Sequence, residues 1–262
     1  MPELPDVEGF RRVFQSCARG RVVRRVDVRD PGVLHGVGAR GLRDALEGRR
    51  FAEPERHGKW LLARTDGPTV LLHFGMTGLL APAEPGDAVQ AHDRVLFTLD
   101  DGRQLRYRDQ RKLRGLWLAH DESDVGRLLA RQGPDALTVT RDDFEAALSA
   151  RRGRLKTTLT DQSVLAGLGN LLADEILWRA GLRPDRRARE LSRPELRRLY
   201  TRMRRTLRSA VTAGRVPPRA SWLTGHRDDP DPVCPRCGTR LRRTRMGGRG
   251  TVWCPECQRD GD

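Results

Sequence analysis

Between Leu4 and Cys17 the apolar side chains recur at steps of three and four (Leu4, Val7, Phe10, Val13, Phe14, Cys17), and Gly20 closes the run. This spacing predicts an amphipathic helix with Cys17 as a small buried hydrophobe on its inner face. From 21 to about 119 the period falls to two. VVRRVDV, RRFAEPERHGKWLLART, TVLLHF, RVLFTL, RQLRYRD and GLWLA are short alternating runs, several of them separated by turn signals such as Asp66-Gly67 and Asp101-Gly102. Many short strands punctuated in this way predict a sandwich or barrel-like β unit. From about 123 the helical period returns. TRDDFEAALSARR and LKTTLTDQSVLAG both fit a helix. NLLADEILWRAGLRP offers Asn170 as N-cap and Gly181 and Pro184 as stops. SRPELRRLYTRMRRTLRSAVTAG opens on the capping-box pair Ser192 and Glu195 and ends at Gly214. Residues 215–232, rich in Pro and Asp, read as a connector, and the tail from 233 as a unit of its own.

Length and charge narrow the class. A chain of 262 residues suits two compact units with a small appendage, and its 37% apolar content can still fill a core. No run of eighteen apolar residues suggests a membrane span, and the acidic opening is not followed by the apolar stretch of a signal peptide. A cytoplasmic protein, nucleoid-associated when bound to DNA, is the expectation. The net charge of +15 points to a polyanion such as nucleic acid, against the plainer reading of a composition that simply favours arginine. Lysine occurs only at Lys59, Lys112 and Lys156. In so arginine-rich a chain, each is a candidate for a site that needs a compact ammonium rather than a planar fork.

Four of the five cysteines form Cys234-Pro-Arg-Cys237 and Cys254-Pro-Glu-Cys257, with sixteen residues between the pairs. That C-x2-C-x16-C-x2-C spacing predicts a four-thiolate zinc site whose pairs are brought together by a β-hairpin. Four thiolates leave no open coordination position, so the metal is expected to be structural. The hairpin carries Arg240, Arg242, Arg243, Arg245 and Arg249, with Gly247-Gly248 at the turn, and such a hairpin suits phosphate contacts or groove insertion. By itself it would equally serve as a protein-interaction knob. In the middle of the chain, Gly167-Leu168-Gly169-Asn170 joins two helical stretches. Backbone N–H groups at the second helix's start suit a phosphate, with Lys156 as a nearby cation, although a plain helical hairpin has the same spacing. No strand precedes the glycines, which argues against dinucleotide binding.

The PELP start, the HFGM turn, the GLGN two-helix segment and the terminal four-cysteine finger occur in that order. Together they resemble the formamidopyrimidine-DNA glycosylase / endonuclease VIII family along the whole chain. The resemblance implies a multidomain α+β fold: an N-terminal catalytic β-sandwich with flanking helices over 1–122, a helix–two-turn–helix DNA-binding domain over 123–216, a connector over 217–232 and a zinc-finger β-hairpin over 233–262. It implies a monomeric base-excision-repair enzyme acting on double-stranded DNA with damaged bases or abasic sites, needing no cofactor beyond one structural zinc ion. In that family the initiator methionine is removed and the amine of the following proline attacks C1′ of the damaged nucleotide. Pro2 matches this nucleophile, Glu3 the acid that protonates the ring oxygen, and Lys59 a phosphate contact beside the lesion. His73 matches a phosphate-contacting histidine, Met76 the side chain that fills the gap left by the flipped base, and Arg111 the arginine that pairs with the orphaned base. Lys156 and Asn170 match phosphate contacts of the helical domain, and Arg249 matches the finger's arginine.

The chain also departs from the family pattern. Asp6 stands where a glutamate is usual and would support the nucleophile from one methylene further away. Leu113 replaces an aromatic wedge, and Gln110-Arg111-Lys112 replaces Pro-Arg-Arg. The 215–232 segment is short and lacks the loop that caps 8-oxoguanine in enzymes acting on that base. The resemblance therefore implies abasic-site cleavage more directly than 8-oxoguanine excision. Two other readings fit parts of the chain: a non-catalytic reader of distorted DNA on the same fold, and a zinc-ribbon protein that binds RNA, which would leave the PELPD start unexplained.

Overall fold

The structure, a computed structural model, describes residues 1–259; the last three residues of the segment expected as the zinc finger lie outside the described residues. Contacts divide the described residues into two compact units, one of residues 1–2 and 6–130 and the other of residues 3–5 and 131–259.

The first unit begins with α1 (Leu4–Ala18), which contributes Val7, Phe14 and Cys17 to the core as the apolar spacing predicts. Two sheets follow. One has the order β1 (Val23–Val28), β7 (Asp93–Leu99), β8 (Gln104–Arg108), β6 (Leu79–Ala83), all antiparallel. The other has the order β2 (Leu34–His35), β9 (Leu116–Ala119), β5 (Thr69–His73), β4 (Trp60–Ala63), β3 (Glu55–His57). Val26, Phe97, Leu105 and Tyr107 of the first sheet share one core with Leu61, Val70, Leu72 and Leu116 of the second, which makes the unit a sandwich. The period of two also explains why β4 is buried throughout: Leu61 and Ala63 face that core, while Trp60 and Leu62 point the other way, into a cluster with Val125 of α3 (Glu122–Leu129). α3 thus covers the outer face of the second sheet and belongs with this unit, so the helical pattern from 123 does not open the second one. α2 (Ala39–Leu46), which buries Leu42 and Leu46, is a helix that the alternating pattern of this region conceals.

In the second unit, α4 (Arg141–Ser149) is capped by the Thr140 side chain. α5 covers only Leu155–Thr160; Asp161 ends it, and its carboxylate accepts from the Ser163 backbone N–H at 2.9 Å, an Asx turn that competes with helix. The longer helix suggested by LKTTLTDQSVLAG is therefore not formed. α6 (Asn170–Ala180) ends at Gly181 in the left-handed conformation, and α7 (Arg193–Ala213) has both halves of the Ser192/Glu195 capping box and stops at Gly214. Leu172, Ile176 and Ala180 of α6 pack with Leu199, Met203 and Leu207 of α7.

The expected connector is more than a linker. It contains a short turn of helix, α8 (Leu223–His226), and buries Trp222 and Leu223. Nor does the cysteine tail stand apart: Trp178 of α6, Leu223, Leu241 and Val252 form one cluster with Cys234 and Cys254. β10 (Arg242–Met246) and β11 (Arg249–Trp253) pair through the predicted turn, where Gly247 and Gly248 have φ of 54° and 75°, as a two-residue hairpin turn with both central residues left-handed requires. No helix of the described residues is long and apolar enough to cross a membrane.

Candidate active site and zinc centre

The short acidic start has a specific place. Pro2 is half-buried and Glu3 is 1% exposed. The Glu3 carboxylate accepts three backbone hydrogen bonds at the start of α6: from Gly169 N–H (2.9 Å) and Leu172 N–H (3.1 Å) to Oε2, and from Leu171 N–H (2.8 Å) to Oε1. The first N–H groups of a helix have no partner within it and favour negative charge. The GLGN turn is thus an anion site, as its sequence suggests, but the anion is the chain's own carboxylate rather than a phosphate. A Cβ on Gly169 would lie 2.2 Å from Glu3 Cδ, and one on Gly167 would lie 2.5 Å from Leu4 Cδ1, so both glycines make room for the N-terminal segment. Gly169 is the N-cap and Asn170 the first helical residue, so the helix starts one position earlier than predicted. The Asn170 side-chain oxygen is buried without a hydrogen-bond partner. Asp6 is half-buried in the first turn of α1.

Lys59 follows Gly58 in the two-residue turn between β3 and β4 and is 9% exposed. His73, at the end of β5, packs edge-on against Trp60, with ring centroids 4.9 Å apart. Burial first, and then the Arg114 and Lys59 charges, push its pKa down to about 4, so the imidazole is neutral at physiological pH. Its Nδ1 accepts from Gly75 N–H at 3.1 Å, which places the remaining proton on Nε2 and makes that nitrogen a donor.

Met76, Arg111 and Leu113 are all exposed. Arg111 Nη1 lies 3.0 Å from Met76 Sδ. Asp109, fully buried, joins their loops: one of its oxygens accepts from Thr77 Oγ1 at 2.5 Å and from Arg111 N–H at 3.1 Å. Sequence reasoning passed over Asp109, although an aspartate two residues before Arg111 is itself an Asx-turn signal. Lys112 has φ of 51°, left-handed for a residue with a side chain, and its ammonium pairs with Asp30 at 3.0 Å.

The structure corrects the reading of Lys156 as a phosphate contact. Lys156 is 1% exposed, and its ammonium meets Asp174 Oδ1 at 2.6 Å, Thr251 Oγ1 at 2.8 Å and Gly250 O at 2.9 Å. The ammonium thus donates to two oxygens of the hairpin and is neutralised by a carboxylate inside the fold. Asp174, in turn, pairs with Arg227 of the connector and accepts from Val252 N–H at 3.2 Å. A compact ammonium is indeed what this site needs, but it pins the finger to α6 instead of binding a ligand. Asp174 and Arg227 went unnoticed because their significance depends on residues about fifty to eighty positions away. Arg249, at the hairpin tip, is exposed and donates to Thr160 Oγ1 at 3.2 Å.

The four cysteine sulfurs lie within 4.8 Å of one another. The Cys234–Cys257, Cys237–Cys254 and Cys237–Cys257 separations are 3.8, 3.5 and 3.5 Å. A tetrahedron with Zn–S bonds of about 2.3 Å has edges of about 3.8 Å, so the residues fit one structural zinc ion. Cys234 Sγ also accepts from Trp178 Nε1 at 3.3 Å and from Arg236 N–H at 3.4 Å, and Arg236 lies over the Trp178 ring at 4.3 Å. Trp178 therefore holds a metal ligand from α6, a role of the kind outer-shell donors play around metal sites.

Comparison with known proteins covers the whole chain. The formamidopyrimidine-DNA glycosylase N-terminal domain matches residues 1–116, the formamidopyrimidine-DNA glycosylase H2TH domain residues 132–219, and the zinc finger found in FPG and IleRS residues 232–259. The formamidopyrimidine-DNA glycosylase of Heliobacterium modesticaldum is 38% identical over 280 positions, covering 99% of this chain and all of the relative. That of Halorhodospira halophila is 38% identical over 273 positions, again covering 99% of this chain and all of the relative. Both alignments are longer than the 262 residues of this chain, so the relatives contain segments it lacks. Among solved structures, the Lactococcus lactis Fpg complex with abasic-site DNA is 26% identical with a TM-score of 0.89, covering 99% of this chain and all of that one. A complex between a point mutant of the same Lactococcus lactis enzyme and Fapy-dG DNA is also 26% identical, with a TM-score of 0.90 and the same coverage. The fold, the four-cysteine centre and these full-length matches together show that the chain belongs to the formamidopyrimidine-DNA glycosylase family.

Proposed function

We infer that this protein is a bifunctional DNA glycosylase and abasic-site lyase that removes oxidised and ring-opened bases from duplex DNA. The observation that carries the catalytic part of this reading is Glu3: a buried carboxylate fixed by three backbone N–H groups, adjoining the residue whose amine becomes the N-terminus once Met1 is cleaved.

The chemistry follows from Pro2 being a secondary amine. An α-amine has a pKa of about 7.7–8.0, so roughly a tenth of it is neutral at pH 7. The Pro2 nitrogen forms a bond to C1′ as the bond from C1′ to the base breaks, and the base leaves with a proton from water; the Glu3 carboxylate takes the proton that the nitrogen gives up and passes it to the ring oxygen as the C1′–O4′ bond breaks and opens the sugar. Because the nitrogen is secondary, the product on the opened sugar is a charged iminium, which acidifies the C2′ proton. Loss of that proton breaks the C3′–O bond, a second elimination breaks the C5′–O bond, and water releases the amine. Lys59 supplies a cation beside the lesion phosphate, and neutral His73 supplies an Nε2–H donor. Met76, Arg111 and Leu113, exposed together, fill the stack and meet the orphaned base, because extrusion of a nucleotide leaves an apolar gap. Asn170 and Arg249 contact phosphates, Asp6 supports the nucleophile, and Lys156 has no direct role. With a short connector, ring-opened purines and abasic sites are better substrates than 8-oxoguanine. The enzyme acts in the compartment that holds the chromosome.

Borohydride trapping on a duplex with one abasic site tests this reading. A covalent adduct is expected with the processed protein and is expected to be lost in Pro2→Gly, with duplex affinity nearly unchanged. No adduct from protein shown to lack Met1 and to bind that duplex tightly would leave the non-catalytic reader of distorted DNA.

A further inference from the structure

α7 carries seven arginines and one acid, Glu195 near its start, within 21 residues. Six of the fifteen net charges of the chain therefore sit on this helix. Leu196, Leu199, Met203, Leu207 and Ala210 form its buried stripe. At 100° per residue the arginines occupy the opposite half of the cylinder. Arg193, Arg197, Arg198, Arg202, Arg205 and Arg208 are all exposed. Among the described residues only Arg198 of these six has a hydrogen-bonded side chain, to the Ala180 carbonyl at 2.8 Å, and none is in an ion pair. Thr201, between them, and Thr212, beyond Arg208, turn their hydroxyls back onto helix carbonyls, and Arg219 reaches Ser209 at 3.3 Å to add a further cation at the far end.

Like charges at i,i+3 and i,i+4 disfavour a helix, and this face repeats them at 193/197, 198/202, 202/205 and 205/208 with no acid after Glu195. A solvated face built only for solubility would alternate sign, as α3 does with Glu122, Asp124 and Arg127. The face also lies apart from the zinc finger. Asp174 and Trp178 of α6 hold the finger, whereas Leu172, Ile176 and Ala180, on the other side of α6, pack on the apolar stripe of α7. The arginines point away from that stripe and so away from the finger.

We propose that the outer face of α7 is a second nucleic-acid surface, which holds another segment of DNA duplex by its phosphates while the lesion site is occupied. This rests on the glycosylase reading for its first duplex. At 1.5 Å per residue the helix is about 32 Å long, the length of roughly nine base pairs, and a duplex presents a regular anionic row over that span. A lipid surface fits less well, because the apolar stripe such a helix would bury in a membrane is already buried in the core.

The experiment uses full-length protein bound to an immobilised short duplex with a tetrahydrofuran abasic analogue, followed by a second, undamaged duplex, each duplex carrying its own fluorophore. Wild type is expected to capture the second duplex without releasing the first. The variant Arg197→Gln/Arg202→Gln/Arg205→Gln/Arg208→Gln is expected to lose at least about tenfold of that capture, with the salt slope of log K lower by up to about 3–4. Single-turnover cleavage of a short abasic duplex should be unchanged. Capture equal in both proteins, exchange of the first duplex for the second, or binding of anionic vesicles in place of a second duplex would each overturn the proposal. Failure of wild type to hold the first duplex would instead count against the glycosylase reading, and the arginine face would then be judged by the salt slope for undamaged duplex in the two free proteins.

Discussion

At the residue scale, the chemistry is set by how few options the buried polar groups have. Glu3 satisfies three helix N–H groups at once, so Glu3→Gln places an amide NH2 against at least one donor. The expected cost is about 1–3 kcal/mol in urea unfolding, together with loss of base excision, and an unchanged midpoint would mean that the carboxylate is not held as described. His73 gives a pH signature. Its pKa falls from 6.5 in the unfolded chain to about 4 in the fold, so the folded state binds fewer protons between those values. The stability contribution is fully present above pH 6.5, is lost as pH falls towards 4, and amounts to about 3 kcal/mol. His73→Gln should flatten the stability–pH curve in that window. Trp178→Phe keeps the ring but removes the N–H on Cys234, and zinc release to a chromogenic chelator under iodoacetamide should quicken several-fold, because a thiolate without that donor is the better nucleophile. Trp222→Phe, in the core cluster of α7 rather than the one that holds Cys234 and Cys254, is the control.

At the element scale, α6 does three jobs. Its N-terminus holds Glu3, one side packs on α7, and Asp174 and Trp178 anchor the finger. Its capping glycine is the sensitive point: Gly169→Ala puts a methyl where the Glu3 carboxyl lies, so abasic cleavage should fall by orders of magnitude while zinc content stays the same. The Lys156–Asp174–Arg227 cluster separates structure from binding. Burial pushes the Lys156 pKa down and the Asp174 pKa up, and their pairing opposes both shifts. Lys156→Met removes one partner from a buried carboxylate, for an expected loss of about 3–5 kcal/mol. Where the variant remains folded, its salt slope for duplex binding should match wild type, whereas Arg249→Gln should lower the slope by about one. An equal drop for Lys156→Met would restore its phosphate role.

At the scale of the whole molecule, charge and metal make separate contributions. The +15 charge makes duplex binding salt-dependent wherever the phosphates lie. The finger is too small to fold on its own apolar contacts, so removal of zinc should unfold 233–259 and weaken DNA binding while the sandwich keeps its transition. The zinc site was legible in the chain because ligand number and spacing are local. The N-terminal helix, most strands, the Ser192/Glu195 cap and the Gly247-Gly248 turn were legible for the same reason: hydrophobic period and turn chemistry act over a few residues. α2 was hidden inside a region of period two, and α5 was overestimated because Asp161 bonds its own backbone and stops the helix.

The order of motifs from PELP to the four cysteines determined the family and singled out Pro2 and Glu3 as the pair to examine. What fills the helix start at Gly169, what Lys156 binds, which nitrogen of His73 carries its proton and which residue steadies Cys234 were decided only by the tertiary structure. Each depends on partners brought together from far along the chain: 166 residues separate Glu3 from Gly169, and 56 separate Trp178 from Cys234. An ammonium or a row of N–H groups advertises a capacity to bind. Which acceptor takes it up is settled by burial, because a buried donor must find its partner inside the fold.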